Sequence, residues 1–86
     1  MKTTIDETST QVADGVLQRI DLIERAVTVR QEASALTFAV SPQCEILLNG
    51  ERVKLRMLQP RDRVSVTYRD RGEGRTALSV EARTRA

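Results

Sequence analysis

From Gly15 onward the apolar residues of this chain recur at every second position. Successive side chains on a strand point to opposite faces, so this period describes strands with one buried face. Val64-Ser65-Val66-Thr67-Tyr68 is the clearest case: Val64, Val66 and Tyr68 face inward, Ser65 and Thr67 outward. Val27-Thr28-Val29, Leu36-Thr37-Phe38-Ala39-Val40, Cys44-Glu45-Ile46-Leu47-Leu48 and Leu78-Ser79-Val80-Glu81-Ala82 repeat it. The first strand, Val16 to Leu22, is less regular. Val16, Ile20 and Leu22 share the expected inner face, Gln18 interrupts it, and Leu17 and Ile23 fall on the other side; a bulge or a change of sheet accounts for such a break.

The connections carry turn chemistry. Asn49-Gly50 supplies two residues tolerant of positive φ, which joins the strand ending at Leu48 to a short one around Val53. Asp70-Arg71-Gly72-Glu73-Gly74 forms a longer hairpin tip. Leu55-Arg56-Met57-Leu58 fits one helical turn that lays Leu55 and Leu58 over a barrel end and stops at Pro60. Ser41-Pro42 marks a further break.

Eighty-six residues hold one domain and one core. A two-sheet sandwich uses about 100 residues, whereas about 70 close a small barrel and leave fewer raw edges. The expected fold is all-β: a small closed or partly open barrel of five to seven short antiparallel strands, of OB or SH3 size, with one helical turn near residues 55–58. Residues 1–14 read as a flexible tail, being rich in Thr, Ser, Asp and Glu, and residues 15–84 as the barrel.

The core must be aliphatic, because Phe38 and Tyr68 are the only aromatic residues. No apolar run approaches the roughly 20 residues that span a bilayer, and the sequence from Met1 to Glu7 lacks the apolar stretch of a signal peptide, so a cytoplasmic protein without membrane contact is expected. Cys44 is alone and has no intrachain disulfide partner; in phase with strand residues, it reads as a small buried hydrophobe. With no histidine in the chain, the usual zinc ligand sets and a Ser-His-Asp arrangement are both missing. The carboxylates are scattered over exposed positions, and Gly72-Glu73-Gly74 lacks the strand-to-helix context of a phosphate loop. The reading is a non-enzymatic module that needs no cofactor.

The stretch Asn49-Gly50, Val53, Leu55, Leu58-Gln59-Pro60-Arg61-Asp62-Arg63-Val64-Ser65-Val66-Thr67-Tyr68 resembles small bacterial β-barrel domains of unknown function. Those domains run from a hairpin turn to a leucine-containing turn, a Pro-Gly-Asp turn and a Val-x-Val-x-Tyr strand. The likeness covers residues 15–82 and implies the barrel rather than an activity. Arg61 stands where the pattern has glycine.

Charge supplies the functional hint. Net charge is only +2, but residues 1–48 carry four basic groups against seven acids and residues 49–86 ten against five. Arg61, Arg63, Arg69, Arg71 and Arg75 are the candidate contact residues, with Arg63 and Arg69 on the outer face of one strand and Arg71 and Arg75 at its hairpin tip. The planar guanidinium fork suits carboxylate or phosphate, so the expected partner is a protein or other acidic surface, with nucleic acid as the alternative. The bland reading is that these arginines solubilise a strand and pair with Asp62, Asp70, Glu73 and Glu81. Bases would find no aromatic platform outside, since Phe38 and Tyr68 are in phase with the core. A homo-oligomeric subunit, joined through strand edges at Leu17, Ile23 or Leu47, is the third reading.

Overall fold

A computed structural model describes residues 10–70 and 74–84. Among the described residues six strands follow one another: β1 (Gln11–Asp21), β2 (Ala26–Arg30), β3 (Ala35–Leu48), β4 (Glu51–Arg52), β5 (Arg63–Asp70) and β6 (Arg75–Arg83). One 3-10 turn, Leu55–Met57, lies between β4 and β5. The strand order is β2-β1-β5-β6-β3-β4, and β2 also pairs with β3, so five strands close on themselves while β4 hangs on β3. Every pairing is antiparallel except the seam between β3 and β6, which is parallel.

The inner face is the one the period-two pattern selects over most of the chain. Val27, Val29, Phe38, Val40, Val66 and Val80 are buried, and the Phe38 and Tyr68 rings meet at 4.8 Å between centroids with a tilt of 59°. Leu55 and Leu58 are buried from the 3-10 turn, covering one end of the barrel.

Three local departures follow from bulges and bends. In β1, Leu17 pairs with Val29 but Arg19 with Thr28, so Gln18 is an extra residue and the inward set changes parity there. Ala13 and Leu17 are buried before the bulge, whereas Val16 and Leu22, expected inside, are exposed. In β6, Thr67 faces Ser79 and Tyr68 faces Ala77, so Leu78 is the unopposed residue and Ala77 takes the inward place expected of it. In β3 the ladder to β6 jumps between Val40 and Glu45. Ser41-Pro42 therefore interrupts the ladder, as a residue without an N–H must, while the strand runs on.

Strand β1 starts at Gln11, four residues before the expected start of the barrel, and Ala13 belongs to the core. Asn49 and Gly50 both have positive φ, 53° and 88°, and link the paired residues Leu48 and Glu51 as a two-residue turn. Gly15 allows a close crossing: a Cβ there would run into the carbonyl oxygen of Arg30 and lie 2.8 Å from Val29 Cγ1. The end of β2 can therefore fold over β1 only because that position has no side chain.

Candidate functional site

Of the five arginines singled out from the sequence, the four among the described residues are spread over the turn before β5, the outer face of β5 and the start of β6. Arg63 opens β5 and is exposed; Arg69 lies near the other end of that strand, about 20 Å away at the usual rise per residue. Arg69 is half-buried, with its Nε lacking a hydrogen-bond partner. Arg75 lies across from Asp70, its Nε 4.0 Å from a carboxylate oxygen, so its charge is partly answered within the hairpin. Arg71 falls outside the described residues. Arg61 is exposed in the turn before β5.

The sheet instead brings Arg63 together with two arginines distant in sequence. Val16 pairs with Arg30 on one side and with Arg63 on the other, and Arg63 pairs with Arg83. Arg30, Arg63 and Arg83 thus occupy one row across β2, β1, β5 and β6, all exposed. Among the described residues no carboxylate lies within 4.0 Å of any of the three. The next row on the same face is Asp14, Ser65 and Glu81, so a basic row runs beside a partly acidic one. An open groove of about 910 Å³ lies at the Arg30 and Arg63 part of the row, lined by Asp14, Gly15, Val16, Arg63 and residues 30–34. Gln31 reaches across it, its Nε2 donating to the Asp14 carbonyl at 3.2 Å. Arg30 and Arg83 escape a reading of the sequence because only strand register reveals that they flank Arg63.

The turn beside this row is tightly held. Asp62 N–H donates to Gln59 O at 3.2 Å, Pro60 is the second residue and Arg61, with φ 83°, the third, which is the pattern of a type II turn. Asp62, expected to be a surface charge, is buried, and its Oδ2 accepts from Gln59 N–H at 3.1 Å. The backbone of Arg61 and Asp62 also bonds Leu17, fixing the turn to the bulged part of β1.

Cys44 on β3 is half-buried, and its thiol pKa is raised, first by burial and then by the Glu45 charge, against the lowering effect of Arg25. Met57, in the 3-10 turn, is 52% exposed. Among the described residues no three of Cys, Asp, Glu or His gather as a metal-binding group. Among the proposed oligomer contacts, Leu17 is only 1% exposed and takes no part in any surface; Ile23 is fully exposed in the β1–β2 turn and Leu47 partly buried. No helix among the described residues is long and apolar enough to cross a membrane.

The fold defines a class: a small closed barrel of OB type. Solved structures of CusF share this architecture. A CusF tryptophan variant with Cu(II), from Escherichia coli, aligns with a TM-score of 0.70 at 16% identity over 95% of this chain and 98% of its own. Apo-CusF from Escherichia coli gives 0.66 at 19% identity over 94% and 98%. Ag(I)CusF gives 0.67 at 17% identity over 86% and 97%. At these identities the likeness is one of fold. No protein-family model matches the chain, and no curated protein does. These neighbours are structures of a periplasmic protein and so point away from the cytoplasmic placement expected from the sequence.

Proposed function

We propose that this chain is a non-enzymatic binding module that engages an acidic protein surface through the outer face of β2, β1, β5 and β6. The observation that carries this reading is the row Arg30, Arg63 and Arg83, three exposed guanidinium groups with no carboxylate within 4.0 Å among the described residues. The row of Asp14 and Glu81 beside it makes recognition directional: a partner's acids are attracted to one row and repelled by the next. The likeness to small bacterial barrel domains belongs to the same proposal. Nucleic acid is the weaker partner, because Phe38 and Tyr68 are buried and give bases nothing to stack on.

Carriage of Ag(I) or Cu(II), the ions in the CusF structures, does not fit the side chains present. Ag(I), a soft ion, takes thiolate or thioether ligands, and Cu(II) takes nitrogen and oxygen ligands with imidazole foremost. This chain has no histidine; its sulfur donors among the described residues are Cys44, whose thiol is held protonated, and Met57 on a separate element.

The test is binding of a fluorescent polyglutamate peptide and, in parallel, of single-stranded DNA, across a range of salt. The acidic peptide is expected to bind in a salt-dependent manner and to lose roughly tenfold in affinity when Arg30, Arg63 and Arg83 are all changed to Gln. Undiminished binding by that variant, or tighter binding of DNA than of the peptide, overturns the reading.

A further inference from the structure

We infer that Arg61 is an anchor for a carboxylate of the acidic partner, held outward at a cost in stability; this rests on the acidic-partner reading above and extends its surface onto the neighbouring turn. Among the described residues, three other than glycine have positive φ: Arg25 at 57°, Asn49 at 53° and Arg61 at 83°. Such a conformation is strained for a residue with a Cβ, and it persists where something compensates.

For two of the three, the compensation is visible inside the chain. Arg25 Nε donates to the Val40 carbonyl at 3.2 Å, tying the β1–β2 turn to β3. Asn49 bonds Thr84 twice: its Nδ2 donates to Thr84 Oγ1 at 3.2 Å, and its Oδ1 accepts from Thr84 N–H at 3.3 Å. A glycine at either position would keep the backbone and lose the bonds. The Arg61 side chain has no hydrogen bond or ion pair among the described residues. Its turn is held entirely by backbone atoms and Asp62, so a glycine would serve the fold better. The third position of a type II turn is the place glycine fills without strain.

What the side chain offers lies outward. Between Lys54 and Arg61 the exposed charges are Lys54, Arg56 and Arg61, with no exposed acid, and Met57 adds an exposed apolar surface. Two residues further on, Arg63 begins the arginine row. The rigid turn fixes the backbone from which the guanidinium projects, and its planar fork suits a bidentate grip on a carboxylate.

The experiment compares Arg61→Gly, Arg61→Ala and Arg61→Lys with the wild-type chain and with the triple row variant, reading thermal midpoint and affinity for the polyglutamate peptide. Arg61→Gly is expected to raise the midpoint by roughly 4 °C through release of strain, and Arg61→Ala, which keeps the strain, to leave it unchanged. Both are expected to bind the peptide roughly fivefold more weakly, with Arg61→Lys in between. Wild-type affinity in the Gly and Ala variants, alongside loss in the row variant, overturns the role of Arg61 and leaves the acidic-partner reading intact. A Gly variant no more stable than wild type removes the strain argument and overturns the inference. Absence of peptide binding by the wild-type chain overturns both.

Discussion

The backbone N–H of Leu17 donates to the carbonyl oxygen of Asp62 across 2.8 Å. The bond joins β1, just before its bulge, to the turn that launches β5. Arg61 N–H returns a bond to Leu17 O at 2.6 Å, so a core residue and an exposed turn are held as one unit. Asp62 closes it from within, accepting from Gln59 N–H while itself only 6% exposed. Asp62→Ala should therefore lower stability by about 1–2 kcal/mol in urea unfolding, and Asp62→Asn, which keeps an acceptor, by clearly less.

Gly15→Ala should be among the most damaging small changes in the chain. Its methyl group would meet a backbone oxygen, at Arg30, that cannot move without breaking the pairing with Val16. A loss of about 2–3 kcal/mol is expected, as for other overpacked sites. Gly50→Ala has open space around it but a φ of 88°, so it should cost only about 1 kcal/mol. Denaturation midpoints of the two variants check the order.

The two aromatic rings should respond differently to truncation. Phe38 is fully buried, and Phe38→Ala should remove about 3–5 kcal/mol, a large part of the 5–15 kcal/mol typical of a domain. Tyr68→Phe keeps the ring contact and loses only the bond from Tyr68 Oη to Gln11 Oε1, 3.1 Å long, for about 1 kcal/mol. Calorimetry of both proteins tests the ranking.

Cys44 should react slowly with thiol reagents at neutral pH, because burial holds the thiol protonated above the usual range. The folded state retains its proton at a pH where the unfolded chain has released it. The stabilising contribution is therefore complete below the unfolded thiol pKa and is lost as pH rises through the folded value. Alkylation rates measured against pH should show a midpoint above that of the same cysteine in urea.

Much of this architecture is legible in the residues themselves. The alternation around Val66 and Phe38, the Asn49-Gly50 turn and the leucines of the 3-10 turn each encode a local geometry with one physical solution. What escapes is whatever depends on a count slipping by one. Gln18 announces the break in β1 by interrupting the inner face, though not which residues then turn inward, whereas Leu78 heads a regular alternation and nothing in its type announces that it stands opposite no partner. From the slip at Gln18 came the reversed places of Val16 and Leu17. The arginine row was illegible for a related reason: Arg30, Arg63 and Arg83 are separated along the chain and become neighbours only through the registers of three ladders. Asp62 misleads by its charge, which suggests solvent, while its work is to hold a turn from inside.

The parallel seam between β3 and β6 joins residues 38–48 to residues 75–82. This ladder and the still longer-range one between β1 and β5 both follow the local hairpins, because the intervening chain must first be gathered, and β6 is the last strand in chain order. During synthesis the first three strands can form their meander well before β6 exists, and until it arrives β3 carries an open edge. The barrel is thus a ring whose clasp is made last, and its exposure to mispairing is concentrated in the interval before the clasp is available.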